Sequence, residues 1–497
     1  MNLASLIDEH PADARALHDG SRWLSWGELR RRVHAVTTAM VDEGVAPGDR
    51  VALVWPTSAD LVVSYLAVLS SGAVAVPLNP SSPSVELDVQ LGAVKPSLVL
   101  GGSRGALDVA GICEEAGGSD KEGRLASAGA TGAAGATGAA GSLTSVPRAP
   151  EDPAVLLYTS GTAGDPRPAV LSHGNLMANI RQMLALPGGL VAAGDVGLAV
   201  MPMFHIFGLN VTLGLALATG AALVPRERFD PQSSLADIGE LGVTLLTGAP
   251  GMFGAWLDLP GLTGKELGGV RRALSGAAAL DPAIARGFEE RFGLPLWQGY
   301  GLTEASPGVA STLATGRNVP GSVGGPLPGV EIRLVDDLGE DALAGDPGEL
   351  WVRGPNVFSG YWHDSEATAE VLAAGGWLRT GDIGVIGPDG DLFVTDRKKD
   401  LVIVSGFNVF PAEVERVLAA APGVAEAVVL GRPDATQGET VEAVIVPEPG
   451  AALSEPTLRA YCAANLARYK CPSTIRFVDE LPRGLTGKAL RRALRSE

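Results

Sequence analysis

Residues 50–80 read RVALVWPTSADLVVSYLAVLSSGAVAVPLNP. RVALVWP is a short apolar run that predicts a buried strand. SADLVVSYLAVLSSG predicts a helix closed by Gly72, and AVAVPLNP predicts the next strand. Just upstream, RWLSWGELRRRVHAVTTAMVDEG (22–44) places apolar residues at helical spacing and ends on Gly44. Strands alternating with helices predict a mostly parallel sheet covered on both faces.

Beyond this stretch the pattern lapses and returns. Residues 115–148 are dominated by Gly, Ala, Ser and Thr, with ATGAAG in tandem from Ala130 to Gly141. Glycine falls at every third place there, but over two copies and without proline, so a flexible surface loop is expected, not a collagen-like segment. From Pro153 the α/β pattern resumes in VLSHGNLMANIRQMLAL, DVGLAVMPMFHIFG, VTLLTGAP and VRRALSGAAAL. Short strands with Gly/Asp turns follow at 330–337, 348–354 and 381–396, predicting a small β-rich subdomain. After the charged DRKKD junction, LVIVSG, a helix from Pro411, the strands AEAVVLG and VEAVIVP and a helix ending near Tyr469 predict a compact α+β unit.

Length and composition bound the class. At ~150 residues per domain, 497 residues predict about three folding units. Hydrophobic residues at 46% and charged residues at 19% are ordinary globular usage, which excludes wholesale disorder. The formal charge of −18 is the wrong sign for coating nucleic acid or an anionic membrane, so any anionic ligand must meet local donors. Cys113, Cys462 and Cys471 share no metal-ligand or CxxC spacing, and a reducing cytoplasmic interior is the natural compartment. The start, MNLASLIDEHP, lacks the features of a secretory signal. Ile206 to Val224 carries no charge over nineteen residues. Its Asn210, two threonines and the break at Gly220 favour a buried helix and strand over a membrane span.

The motifs that carry chemistry are turns. LLYTSGTAGDPRPAV (156–170) runs an apolar strand into Thr159, Ser160, Gly161, Thr162, Ala163 and Gly164. Small residues and hydroxyls let N–H and O–H groups approach phosphate oxygens, though a plain turn between strands has the same composition. The stretch lacks the GxxxxGK of the common P-loop. QGYGLTEASP (298–307) places Glu304 beside Thr303, a carboxylate and hydroxyl suited to a magnesium ion shared with substrate phosphates. GWLRTGDIG (376–384) puts Asp382 in an expected tight turn, where a carboxylate can accept both hydroxyls of a ribose. DRKKDLVIVSGFNVFPAEVE (396–415) and LPRGLTGKALRR (481–492), with Lys488 in a Gly loop, complete the set. Each alone is compatible with a solvated turn; the five in this order are not readily accidental.

Together these segments, from about residue 20 to 492, resemble the adenylate-forming superfamily. It includes acyl-CoA synthetases, aryl-CoA ligases, firefly luciferase and peptide-synthetase adenylation domains. PMFHIFG (202–208), with His205 after Phe204, is similar to the PxFH motif of its acyl- and aryl-CoA ligases. The resemblance implies an N-terminal AMP-binding domain over 1–395 with multiple α/β subdomains and the β-rich one, a hinge at 396–400, and a small mobile α+β C-terminal domain over 401–497. It implies that a small-molecule carboxylic acid, fatty or similarly apolar, is joined to AMP from ATP with release of pyrophosphate. Coenzyme A then takes the acyl group. A carrier-protein acceptor, or a non-catalytic nucleotide-binding homologue, is the alternative, and a homodimer stays open.

Residue by residue, the resemblance assigns the triphosphate to 159–164 and Arg167, and phosphate and Mg2+ to Thr303 and Glu304. Adenine falls to Ala277, Ala278, Gly299, Tyr300 and Gly301, and the ribose to Asp382 and Arg397. Lys488 is assigned to the reacting carboxylate and α-phosphate. A compact ammonium suits that role, since it can touch several oxygens as charge develops. Lys399 is the implied pivot, Ser405, Gly406 and Phe407 the turn that swings toward the pantetheine tunnel, and His205 a wall of that tunnel. A packed core imidazole is the plain alternative for His205, and a solvated cluster for the RKKD charges. A second LTGK, ending at Lys265, lacks the flanking LPR and ALRR and is expected at the surface. The family usually reads TSGTTGxPKG; here Ala163 replaces a Thr, Arg167 the Lys and Pro168 a Gly.

Overall fold

The 50–80 stretch folds as its pattern predicts, into strands Arg50–Leu53 and Val74–Pro77 around the helix Ala59–Ser70, in a computed structural model of the chain. The structure describes residues 2–102, 105–117, 145–159, 167–336, 338–404, 407–434, 438–483 and 491–495. The helix is buried all round, as an all-apolar helix must be, and Ser58 caps it by accepting from the Leu61 N–H. The two strands pair in parallel, and the sheet runs in the order Leu98–Leu100, Arg50–Leu53, Val74–Pro77, Pro153–Thr159, Arg167–Ser172. Only the last pair is antiparallel.

A nine-stranded sheet lies in the same unit of the chain, which comprises residues 1–331 and 353–376. Its parallel centre runs Leu296–Gly301, Arg272–Ser275, Leu245–Gly248, Val196–Ala199, Ala222–Pro225. Phe253, Trp256 and Phe288 pack edge-to-face beside it at centroid separations of 5.2–5.8 Å. They anchor a buried cluster with Leu246 and Ala273. Two of the flanking helices, Pro231–Leu241 and Pro282–Phe292, start with an aspartate cap followed by Pro at the first helical position.

The second unit comprises residues 332–352 and 377–497. Strands Glu331–Val335, Gly348–Arg353, Trp377–Ile386 and Leu392–Arg397 are neighbours in that order. Another sheet runs Phe407–Val409, Val402–Val404, Gly438–Pro447, Val424–Asp434, with Thr474–Phe477 parallel to Gly438–Pro447. Helices Pro411–Ala419 and Glu455–Asn465 pack Val414, Leu418 and Leu458 into its core. The β-rich segment expected within the N-terminal region thus groups, by its internal contacts, with the C-terminal residues.

Some sequence expectations shift. The first helix begins at Trp26, because Trp23–Ser25 is a strand and Ser25 and Glu28 form a reciprocal capping box. Of the Gly/Ala-rich stretch, 118–144 lies outside the described residues. Its flanks are ordered: Val109–Gly117 is helical, and the Val146 N–H donates to Ser70 O at 2.9 Å. Residues 206–224 form a buried π-helix (Phe207–Gly214), a short α-helix (Leu215–Thr219) and the strand Ala222–Pro225, turning at Gly220 with φ 77°. The last long helix stops at Asn465, ahead of Tyr469, because Leu466 turns to extended backbone. Among the described residues no helix is long and apolar enough to cross a membrane.

Candidate active site

In open α/β sheets, ligands gather beyond the carboxyl ends of parallel strands, where backbone N–H groups and loops are available. The first unit follows this rule. Thr159 ends the strand Pro153–Thr159, and His205 lies six residues beyond Ala199. Gly276, Ala277 and Ala278 follow Ser275, and Gly299 to Glu304 lead out of Gln298. Ser275 and Gln298 are parallel register partners, so these last two segments emerge side by side. That is the arrangement needed for both to flank one flat ligand. Ala277 carries a left-handed φ of 67°, rare for a residue with a Cβ.

Glu304 sits in a single 3-10 turn, Thr303–Ala305, directly after the strand. The turn is made possible by Gly301, where a Cβ would lie 2.2 Å from the Pro307 carbonyl oxygen. A strap at 354–364 then stitches this turn in place. Phe358 N–H donates to Glu304 O at 2.8 Å, and buried Asn356 donates to Ala305 O at 2.8 Å. The Tyr361 hydroxyl donates to Glu304 Oε1 at 2.8 Å. Burial, then the Glu304 charge, holds the Tyr361 pKa well above its usual value, so the phenol stays a donor.

The same strap reaches the phosphate-loop hairpin. Trp362 N–H donates to Pro168 O at 2.8 Å, and Val170 N–H to Gly360 O at 2.9 Å. Thr159 and Arg167 are antiparallel partners that close the hairpin, with Thr159 Oγ1 donating to Arg167 O at 3.4 Å. Ser160, Gly161, Thr162, Ala163 and Gly164 lie outside the described residues. Pro168 costs the sheet no ladder bond, because Arg167–Ser172 is an edge strand. The Arg167 guanidinium lies 3.3 Å from Asp364 and 3.9 Å from Glu370, with its carbon 6.0 Å from the Tyr361 ring centroid. Its charge therefore faces two carboxylates and an aromatic face.

His205 is half-buried, and desolvation lowers its pKa to about 4. The imidazole is neutral at pH 7, and its Nδ1 accepts from the Phe207 N–H at 3.2 Å, which leaves the proton on Nε2. The π-helix begins two residues later; such segments recur at functional sites. The wall behind it is apolar: Phe207, Leu209, Val211 and Leu213 are buried.

The second unit holds the remaining expected residues. Asp382 is buried within the strand Trp377–Ile386, so it does not occupy the tight turn expected of it. Gly381, at φ 69°, supplies a local irregularity that the ladder absorbs. Asp382 and Arg397 are direct antiparallel register partners. Lys398 is exposed and pairs with Glu349 at 3.1 Å. Lys399 lies in the 3-10 turn Lys398–Asp400, and Phe407 opens the strand Phe407–Val409. Ser405, Gly406 and Lys488 lie outside the described residues.

Sequence reasoning missed two residues. Tyr361 was silent because its partner is 57 positions away. Arg491, in the ALRR that follows Lys488, is held by Glu415 at 2.6 Å and Asp400 at 3.3 Å. Arg483 pairs with Glu426. Arg271 pairs with Asp195, while Arg228 and Lys265 are exposed. Among the described residues no three His, Cys, Asp or Glu side chains cluster as a metal cage, and the three cysteines are free.

The chain is similar to known proteins over nearly its whole length. Residues 4–362 match the family model described as AMP-binding enzyme, and 413–488 the AMP-binding enzyme C-terminal domain. The chain is 36% identical to the 3-[(3aS,4S,7aS)-7a-methyl-1,5-dioxo-octahydro-1H-inden-4-yl]propanoyl:CoA ligase of Mycobacterium tuberculosis, covering 99% of this chain and 97% of the relative. It is 34% identical to a long-chain fatty acid–CoA ligase of Bacillus subtilis, over 91% of this chain and 86% of that one. The ATP-bound crystal structure of MatB from Rhodopseudomonas palustris superposes with a TM-score of 0.88 at 32% identity, covering 100% and 99% of the two chains.

Proposed function

The chain belongs to the AMP-binding enzyme family, and we propose that within it the protein is an ATP-dependent acid–CoA ligase acting on an apolar carboxylic acid. An acid carboxylate oxygen attacks the α-phosphorus of ATP. The bond to the β-phosphate bridging oxygen breaks, pyrophosphate leaves, and an acyl-adenylate remains. The coenzyme A thiol, losing its proton, then displaces AMP from the acyl carbon to form a thioester. Such chemistry runs in the cytoplasm, where ATP and CoA are available.

One observation carries the reading. A continuous chain of contacts runs from Thr159 through Arg167 and Tyr361 to Glu304, tying the flank of the phosphate loop to the acidic turn. Substrate phosphates bound at these elements would meet Glu304 and the flank of the phosphate loop on one connected framework. Ala277, Ala278, Gly299 and Tyr300 border the adenine, and the Asp382–Arg397 pair takes the ribose. Lys488 neutralises charge at the α-phosphate during the first step, a role in which a fixed donor is commonly worth 10²–10³-fold in rate. Neutral His205 presents an Nε2–H donor to the pantetheine tunnel.

The donors also fit magnesium. Mg2+ keeps most of its waters and is usually held by one or two carboxylates together with substrate phosphates. Glu304 with Thr303 offers one carboxylate and one hydroxyl, a donor set of that kind. When bound with the nucleotide, the ion supplies positive charge against the phosphate oxygens.

The acid is expected to be large and apolar, because the two curated relatives act on a bicyclic propanoate and a long-chain acid. The buried wall beyond His205 is compatible with either. The deciding experiment offers purified protein a panel of such acids with ATP, Mg2+ and either CoA or a holo carrier protein. Pyrophosphate and thioester are then measured. Thioester on CoA is expected, together with a Lys488→Ala variant slowed at least about 10²-fold in pyrophosphate release. Thioester on the carrier protein alone, or undiminished adenylation by that variant, would sink the assignment.

A further inference from the structure

The geometry points to Tyr361 as a positioning residue for Glu304: its hydroxyl holds Oε1 and so presents Oε2 to the metal–nucleotide complex, while Arg167 and Asp364 hold the strap. The proposal rests on the reading of Glu304 as the magnesium-binding carboxylate.

A glutamate side chain has three rotatable bonds, and a half-exposed one samples several rotamers. Glu304 is not left to do so. Its backbone is tied by Phe358 N–H, and one of its two oxygens accepts the phenol at 2.8 Å. A hydrogen bond to an ionised acceptor is about twice as strong as a neutral one, so this contact can select one rotamer. Because a carboxylate has about four lone-pair sites, accepting the phenol does not exhaust the acceptor capacity of Glu304.

Tyr361 is itself held from both sides. Its ring packs edge-on to Phe358, with centroids 5.0 Å apart, and lies under Arg167. Its backbone N–H donates to Thr368 Oγ1 at 2.9 Å. Arg167 is aimed by Asp364, whose other oxygen accepts from Ala367 N–H at 2.9 Å and caps the helix Ser365–Val371. One carboxylate thus fixes both the end of the strap and the cation above Tyr361. Removing the phenol oxygen would leave the backbone strap intact and release only the side chain of Glu304.

The test measures binding of Mn2+ with a non-hydrolysable ATP analogue by water-proton relaxation enhancement, so no turnover is needed. Tyr361→Phe is expected to weaken binding about tenfold, the equivalent of one charge-assisted hydrogen bond. In a Glu304→Gln background the same change should have no further effect, since the oxygen it positions is already lost. Asp364→Asn keeps the helix cap but removes the carboxylate charge that faces Arg167. It should weaken binding by a smaller factor and serves as the second variant should Tyr361→Phe melt early. A folded Tyr361→Phe protein that binds like the wild type, unchanged binding in Asp364→Asn, or additive losses in the double variant would overturn the proposal. Wild-type protein that fails to bind the Mn2+–nucleotide complex would overturn the parent reading as well, which separates the two failures.

Discussion

Arg491 Nη2 lies 2.6 Å from Glu415 Oε1, and its other terminal nitrogen lies 3.3 Å from Asp400. Asp396, on the far side, is 4.0 Å away. Burial works against the arginine's charge, but the three carboxylates outweigh it and hold its pKa above the usual value. Asp396 and Glu415 also accept the Ala412 and Val429 N–H groups, at 2.9 and 2.8 Å. One guanidinium thus joins the 396–400 segment, the Pro411–Ala419 helix and the C-terminal helix Arg491–Arg495 within the second unit.

Removing it should be severe. Arg491→Ala removes the cation that these three carboxylates share, and breaking a buried pair in this way costs about 3–5 kcal/mol. Hydrogen exchange should show the Val429 amide losing protection, and chemical denaturation should show the second unit unfolding earlier. Arg491→Lys is expected to recover only part of the loss, because an ammonium cannot span the two carboxylates as a fork does. Unchanged protection at Val429 would contradict the account.

His173 provides a pH dependence of defined sign. The ring is buried, Nδ1 accepts from the Leu3 N–H at 3.2 Å, and Nε2 has no partner among the described residues. Burial, with Arg148 nearby, lowers its pKa to about 4 from an ordinary 6.5. Between those values the unfolded chain binds a proton that the folded chain refuses. Stability is therefore full above about pH 6.5 and falls as the pH drops toward 4, by about 3 kcal/mol from this group. Urea denaturation at pH 7 and pH 4.5 measures the difference, and His173→Gln should flatten it. His205, with the same direction of shift, adds to the wild-type slope and remains in that variant.

Gly301 tests whether the acidic turn depends on a backbone approach. An added Cβ would meet the Pro307 carbonyl oxygen at 2.2 Å and its carbon at 2.8 Å, and backbone atoms cannot rotate away. Gly301→Ala is expected to cost about 1–3 kcal/mol of stability. By displacing Thr303 and Glu304 it should also reduce pyrophosphate release more than it reduces acid binding. Gly251→Ala, which meets nothing within 4 Å, is the matched control.

The sequence revealed the site better than it revealed the contacts that set its geometry. Thr303 and Glu304 were legible because a hydroxyl and a carboxylate after a Gly-rich strand end form a local pattern. Asp382 was misplaced as structure: Gly381 suggested a turn, whereas pairing with Leu392–Arg397 kept the segment in a strand. That Pro168 falls on an edge strand was decided by the topology.

The alternation of strand and helix, the all-round apolar helix at 59–70, and the residue types offered to a nucleotide were determined by the sequence alone, because each depends on neighbours within a few positions. Tertiary structure alone decided that Arg167 faces Asp364, that His205 is neutral, and that the Tyr361 phenol fixes Glu304. Those properties depend on desolvation and on contacts between segments far apart in the chain, and neither leaves a periodic trace in the order of residues.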